Sequence, residues 1–201
     1  YATCCYVACV ADTGILDEII PFLEARPVKP EEDAYYDLPN RSEESATLYQ
    51  HCVRAIERGL KFGPHGLPLM GCGDWNDGMN LVGKDGRGES VWLAFFLYDV
   101  LTQFASLARA LRDIPFADRC VAQAQQLQQN IELHGWDGQW YRRAYFDDGT
   151  PLGSAANQEC RIDSIAQSWG VLSGAADPAR AAKSLASLRE HLVRKENGLV
   201  L

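Results

Sequence analysis

Apolar residues in this chain recur mostly at helical spacing. Leu48, Cys52, Ala55, Ile56 and Leu60 fall on one face of a helix. Asn40 or Ser42 is placed to cap it, Glu43 and Glu44 suit the positive end of its dipole, and Gly63-Pro64 stops it. A longer helix is expected over 89–112. Its first half, Val91–Tyr98, is apolar on every side, which predicts burial all round. After Pro115, residues Phe116, Cys120, Ala124, Leu127 and Ile131 mark a one-faced helix that Gly135 ends. Asp163–Ser173 reads as a short apolar helix stopped by Gly174. Asp177-Pro178 opens a last helix, with Ala181, Leu185, Leu188 and Leu192 on one face and Asn197-Gly198 at its end. At the other extreme, residues 1–11 read as the buried end of a helix, halted by Asp12-Thr13-Gly14.

Three stretches break this pattern. Residues 15–41 are rich in proline and acidic side chains and read as a long connection. Residues 63–88 are dense in glycine, yet hold Trp75 and a cluster of Asp and Asn, and read as a long structured loop. Trp140–Phe146, followed by Asp148-Gly149, reads as a β-hairpin. A helix that is apolar all round, next to one with a single apolar face, is what an inner ring packed against an outer ring requires. The expected fold is all-α, a toroid of helical hairpins with a small β-hairpin insertion. A four-helix bundle would make every helix one-faced. No sequence repeat accompanies the alternation.

Composition narrows the classes. The chain has 201 residues, 47% hydrophobic and 23% charged, which is globular and excludes a disordered chain. A net charge of −8 repels phosphate backbones and anionic lipid surfaces, so no nucleic acid is expected as a partner. The longest clean apolar run, Val91–Tyr98, is short of the roughly 20 residues a bilayer needs, so no membrane insertion of this segment is expected. Seven cysteines, with no C-x-x-C pair, indicate a reducing compartment. Cys4, Cys5 and Cys9 fit no zinc spacing, and no metal is expected. The chain begins at Tyr1 and ends at Val200-Leu201, both in apolar sequence. It therefore reads as residues 1–201 of a single larger catalytic domain, truncated at both ends.

The chemistry concentrates in Gly71-Cys72-Gly73-Asp74-Trp75-Asn76-Asp77-Gly78-Met79-Asn80. Glycines let the backbone turn tightly and approach a ligand. An indole offers a flat apolar face to the C–H face of a sugar. A carboxyl group beside such a face can stay protonated and act as a proton donor. Carboxylates, amide and indole together make a carbohydrate site. The same Asp and Asn are also ordinary turn formers and caps. A calcium loop starting at Asp74 fails, because Met79 and Asp85 stand where Gly and Glu are required. Asp74 and Asn76 can each touch a sugar hydroxyl or brace the loop, and Arg87 can pair with Glu89.

The run His65–Trp92, with D-W-N-D-G-M at its centre, resembles the core motif of the cellobiose and chitobiose phosphorylase family, glycoside hydrolase family ninety-four. Tyr1–Thr3, DTGILDE at 12–18, YDLP at 36–39 and QECRIDSIAQSW at 158–169 resemble its β-1,2-glucan branch, which holds the C-terminal part of cyclic β-1,2-glucan synthases and the oligoglucan phosphorylases. The resemblance implies an (α/α)6 toroid, of which this chain would hold about half. It implies inverting phosphorolysis, with inorganic phosphate as co-substrate and no other cofactor. One protein carboxylate protonates the glycosidic oxygen while phosphate attacks the anomeric carbon from the opposite face. That acid maps to Asp77, a sugar-subsite residue maps to Trp75, and a substrate-contacting Glu maps to Glu159. The implied partners are a β-glucan oligosaccharide, phosphate and the remainder of a parent polypeptide. The implied setting is cytoplasmic, within an inner-membrane protein. The family's phosphate ligands have no counterpart that can be placed here, so the isolated chain is expected to be inactive or nearly so. Cys72 also stands where the motif would carry a small Ser, Thr or Ala. Two other readings remain open: an inverting hydrolase with Asp77 as acid and Glu159 or Asp163 as base, and a non-catalytic carbohydrate-binding or structural segment.

Overall fold

The structure is a computed structural model that describes residues 1–29, 32 and 35–201. These residues separate into two compact units, Ala2–Leu60 and Tyr1 with Lys61–Leu201.

In the first unit, α1 (Ala2–Val10) is followed by strands β1 (Ile19–Glu24) and β2 (Asn40–Thr47) and by helix α2 (Leu48–Gly59). The first strand and the start of the second take up part of the expected connection, and β2 occupies the expected start of the helix. They pair antiparallel from Ile19–Thr47 to Glu24–Asn40, with a register shift between Pro21 and Leu23. Pro21 has no N–H to give to a ladder, which suits it to such an irregularity. Positions 30–31 and 33–34 of the expected connection lie outside the described residues. The true cap of α2 is Thr47, in a reciprocal box with Gln50: the Gln50 N–H donates to Thr47 Oγ1 at 3.2 Å, and the Thr47 N–H donates to Gln50 Oε1 at 3.0 Å. The helix stops at Gly59, short of Gly63. The β ribbon is fastened to α2 by His51, stacked on Phe22 at 3.9 Å, and by Arg54 above the same ring at 4.3 Å. Of α1 only Cys4 is buried, whereas burial was expected. Its apolar residues lie all round the helix, and one helix and a ribbon cannot enclose them.

The second unit is built from β3 (Glu89–Ser90), α3 (Val91–Ala110), α4 (Ile114–Asn130), β4 (Ala144–Tyr145), β5 (Pro151–Leu152), α5 (Ser164–Leu172), α6 (Pro178–His191), β6 (Val193–Arg194) and β7 (Leu199–Val200). Helix α3 is its core. No residue of Val91–Tyr98 is exposed, as the pattern required. Phe104 meets Phe116 of α4 edge-on at 5.8 Å, and α5 packs on both α3 and α6. The whole of α3, twenty residues, is long and apolar enough to cross a membrane by length and composition, a match that stopping at Tyr98 overlooked. Most of its apolar window is buried inside the protein, so its composition is explained by its place in the core. Helix α4 is one-faced and ends in a π-helical turn, Ile131–Gly135.

Boundaries moved where cap and strand chemistry competed with periodicity. Glu89 and Ser90 form an edge strand rather than the first turn of α3, and Ser90 caps that helix by accepting the Leu93 N–H at 3.0 Å. Asn197-Gly198 turns a short hairpin between β6 and β7 rather than ending α6, in line with Asn-Gly as a hairpin signal. The expected hairpin around Asp148-Gly149 is present as β4–β5, and β3 adds a third strand to it. Thus six helices stand with three small sheets among the described residues.

One glycine is indispensable to that three-stranded sheet. Gly153 has φ +76°, and a Cβ there would lie 2.6 Å from the Arg143 backbone nitrogen. Gly153→Ala is expected to destabilise the protein by about 1–3 kcal/mol, through overlap and strain that the backbone must absorb. Urea unfolding checks this, and an unchanged midpoint would show that the strand yields freely.

Candidate active site

The glycine-rich loop is pinned at its base to the β4–β5 hairpin. Met70 and Val82 pack with Ala144, and Met79, Phe146 and Leu152 surround them. The Asp147 carboxylate accepts the backbone N–H groups of Asp85, Arg87 and Gly88, each at 2.8 Å. Gly88 has no room for a side chain, since a Cβ would lie 2.3 Å from the Val82 carbonyl oxygen. Glu89, 1% exposed, pairs with His65 rather than with Arg87. It accepts from the ring at 2.5 Å and from the His65 and Leu67 backbones at 3.1 and 3.0 Å. The two N–H groups of that tight turn converge on it.

Above this base sits Asp74, whose side chain is fully buried. Arg143 on the strand edge grips it in a fork, Nη1 to Oδ2 at 2.6 Å and Nη2 to Oδ1 at 2.7 Å. The Ser90 hydroxyl donates to the same carboxylate at 2.6 Å while capping α3. Burial alone would push the Asp74 carboxyl up, but hydrogen bonds from Arg143, Ser90 and Asn76 and the Arg143 charge hold it below the ordinary value of 3.8. Of the two roles weighed for Asp74, this geometry is that of a brace.

The brace continues into the turn. Asp74 Oδ1 accepts the Asn76 N–H at 3.1 Å, and Asn76 Oδ1 accepts the Gly78 N–H at 2.9 Å. The Met79 N–H donates to the Asn76 carbonyl at 3.1 Å and closes a single 3-10 turn, Asp77–Met79. Asn76 is the cap of that turn. Trp75 and Asp77 are left pointing into solvent, Trp75 with 68% of its surface exposed. Among the described residues nothing hydrogen-bonds the Asp77 carboxylate. Glu159 is likewise exposed, beside Cys160, whose φ is +46°. Asp163 caps α5, accepting the Ile165 N–H at 2.8 Å, and its other oxygen lies 3.4 Å from Arg143 Nε. Both its oxygens are therefore engaged, which leaves Glu159 as the freer of the two bases considered for a hydrolase.

Arg143 and Ser90 were not among the residues expected at the site. A local signal existed for Arg143. In Trp140–Phe146 the strand alternation sends Arg142 and Arg143 to opposite faces, so one guanidinium must enter the apolar side and needs an acid there.

The lowered Asp74 carboxyl has a consequence for stability. A carboxyl held lower in the folded chain than in the unfolded one stabilises the fold above the unfolded value, and that contribution is lost as pH falls through the folded value. The urea midpoint is expected to hold from pH 7 to about 5 and to fall steeply below about pH 4. Asp74→Asn should flatten the acid limb; an unchanged limb would assign it to other carboxylates.

An exposed acid and an exposed indole on one braced turn of a helix-rich domain are the residue types of a carbohydrate-active protein. Comparison with known sequences places the chain within that class: residues 3–201 match the Glycosyl hydrolase 94 superfamily catalytic domain, and the chain belongs to this family, whose fold is an (α/α)6 barrel. It is similar to a cyclic β-(1,2)-glucan synthase of Rhizobium meliloti, with 43% identity over 100% of this chain and 7% of the synthase. It is also similar to a solabiose phosphorylase of Paenibacillus borealis, 37% identical over 77% of this chain and 20% of that enzyme. An N,N'-diacetylchitobiose phosphorylase of Vibrio furnissii is 30% identical over 93% of this chain and 21% of its own length. The chain thus spans about a fifth or less of each of these relatives.

Proposed function

We propose that this chain is the acid-bearing part of an inverting β-glucoside phosphorylase domain that acts on β-1,2-glucan, in glucan synthesis or in control of chain length. The reading is carried by one observation: Asp77 and Trp75 stand exposed, two residues apart, on a turn tied through Asn76 and Asp74 to a buried ion pair. The 43% identity to a cyclic β-(1,2)-glucan synthase along the whole chain supports the choice of glucan.

In the reaction the Trp75 indole carries the apolar face of the sugar beside the scissile bond. Asp77 gives its proton to the glycosidic oxygen as the C1–O bond breaks, and the electron pair leaves with that oxygen. A phosphate oxygen bonds to C1 from the opposite face, in the place an activated water holds in an inverting hydrolase. The product is α-glucose 1-phosphate and a shortened glucan. Asp77 is reprotonated from solvent. Asp74 and Asn76 hold the turn, and Glu159 contacts the substrate. The phosphate ligands belong to the remainder of a larger polypeptide, in which this chain forms about half of an (α/α)6 toroid. That polypeptide places the domain in the cytoplasm, attached to an inner-membrane protein.

The test is product release from β-1,2-gluco-oligosaccharides by the polypeptide that carries this chain, with and without inorganic phosphate. Phosphate-dependent α-glucose 1-phosphate is expected. Free glucose without phosphate would replace the reading with an inverting hydrolase, and sugar binding without turnover would replace it with a binding segment.

A further inference from the structure

Arg143 faces two carboxylates that belong to distant parts of the chain. Its guanidinium is 1% exposed. The two terminal nitrogens hold Asp74, at the root of the acid turn, at 2.6 and 2.7 Å. The third nitrogen, Nε, is buried, has no hydrogen bond, and lies 3.4 Å from Asp163 Oδ2. Asp163 closes the segment that carries Glu159 and caps α5. Buried Gln167 ties the same segment to the strand beside Arg143. Its amide accepts the Tyr141 N–H at 2.8 Å and donates to the carbonyls of Tyr141 and Asp163 at 2.7 and 2.9 Å.

The Nε–Asp163 contact, at 3.4 Å, is at least about half an ångström longer than a typical charge-assisted hydrogen bond of about 2.7–2.9 Å. A planar fork that already grips Asp74 cannot rotate freely, so its third donor has a fixed direction. Any movement of the Glu159 segment toward Nε is therefore measured against the acid turn.

We propose that Arg143 is a positioning residue for the reaction, holding the Asp77 turn and the Glu159 segment in register through Asp74 on one side and Asp163 on the other. This rests on the reading of Asp77 as the general acid. An acid displaced by about 1 Å from the glycosidic oxygen loses on the order of 10²-fold in rate. The loss falls on substrates whose leaving group needs a proton, and far less on those whose leaving group departs unaided.

The experiment compares Arg143→Lys, Asp163→Asn and Asp77→Asn in the polypeptide that carries this chain, with saturating phosphate. Substrates are a β-1,2-gluco-oligosaccharide and aryl β-glucosides of graded leaving-group acidity. Lys keeps the charge at 143 but not the fork. Asn at 163 keeps the α5 cap but not the charge. For Arg143→Lys, kcat on the oligosaccharide is expected to fall about 10²-fold with KM moving less than about threefold, and on a dinitrophenyl glucoside less than about tenfold. Asp163→Asn is expected to show the same selectivity, with about a tenfold loss on the oligosaccharide. Equal losses on all substrates, or none, from folded variants would overturn the proposal and leave Arg143 a purely structural residue. Should Arg143→Lys fail to fold, Asp163→Asn decides by the same criterion. If instead Asp77→Asn retains activity on the oligosaccharide, the acid assignment itself has failed, whatever the Arg143 variants do.

Discussion

Asp77→Asn is expected to lower phosphate-dependent glucose 1-phosphate release by about 10²–10⁴-fold, the range a positioned general acid contributes. The amide has the shape of the carboxyl but no proton to give. KM for the oligosaccharide should change little, because the loss falls on the step in which the glycosidic bond breaks. Stability should not change. The Asp77 side chain is exposed and holds nothing in place among the described residues. The 3-10 turn it begins is closed by Asn76, Gly78 and Met79. Steady-state kinetics with thermal unfolding in parallel checks this. A variant that keeps more than about a tenth of wild-type kcat would remove Asp77 from the chemistry.

Asp74→Ala should have the largest effect on stability, a loss of about 3–5 kcal/mol. Among the described residues it leaves Arg143, 1% exposed, with only Asp163 at 3.4 Å as counter-charge, and it strips the Ser90 hydroxyl of its acceptor. The penalty is that of a buried cation without its partner. The pair as a whole contributes much less, because removing both charges from water costs nearly what their attraction returns. The double variant Asp74→Leu with Arg143→Met should therefore be more stable than the sum of the single losses predicts. Urea unfolding of Asp74→Ala, Asp74→Leu, Arg143→Met and the double variant decides. Additive losses, or a loss below about 1 kcal/mol for Asp74→Ala, would mean that water reaches the guanidinium.

The helices of the second unit were legible because their apolar residues keep a 3.6-residue period and because Pro115, Asp163 and Asp177-Pro178 are unambiguous stops and caps. The β1–β2 ribbon was not. Asn40–Thr47, NRSEESAT, has almost no strand-forming side chains, and its pairing with Ile19–Glu24 is a tertiary event with no local trace. Asn40 and Ser42 both have capping chemistry, and the glutamates after them made the wrong cap attractive. Thr47 with Gln50 was the readable alternative, because only that pair satisfies two N–H groups reciprocally. At the site, the residue types of the D-W-N-D block marked a candidate cluster, and the choice of Asp77 as its acid came from the family resemblance. Asp74 as a brace was legible, but its partner Arg143 escaped notice, because the two are far apart in the chain and neither is unusual alone. Ser90 was hidden by its double use, as helix cap and as donor to Asp74.

The fork between Asp74 and Arg143 joins positions 69 residues apart. The six letters D-W-N-D-G-M are therefore not a self-sufficient unit. In this chain the turn that presents Asp77 takes its hold from an arginine outside the motif, so the spelling of those six letters and the shape they adopt are set in two different places.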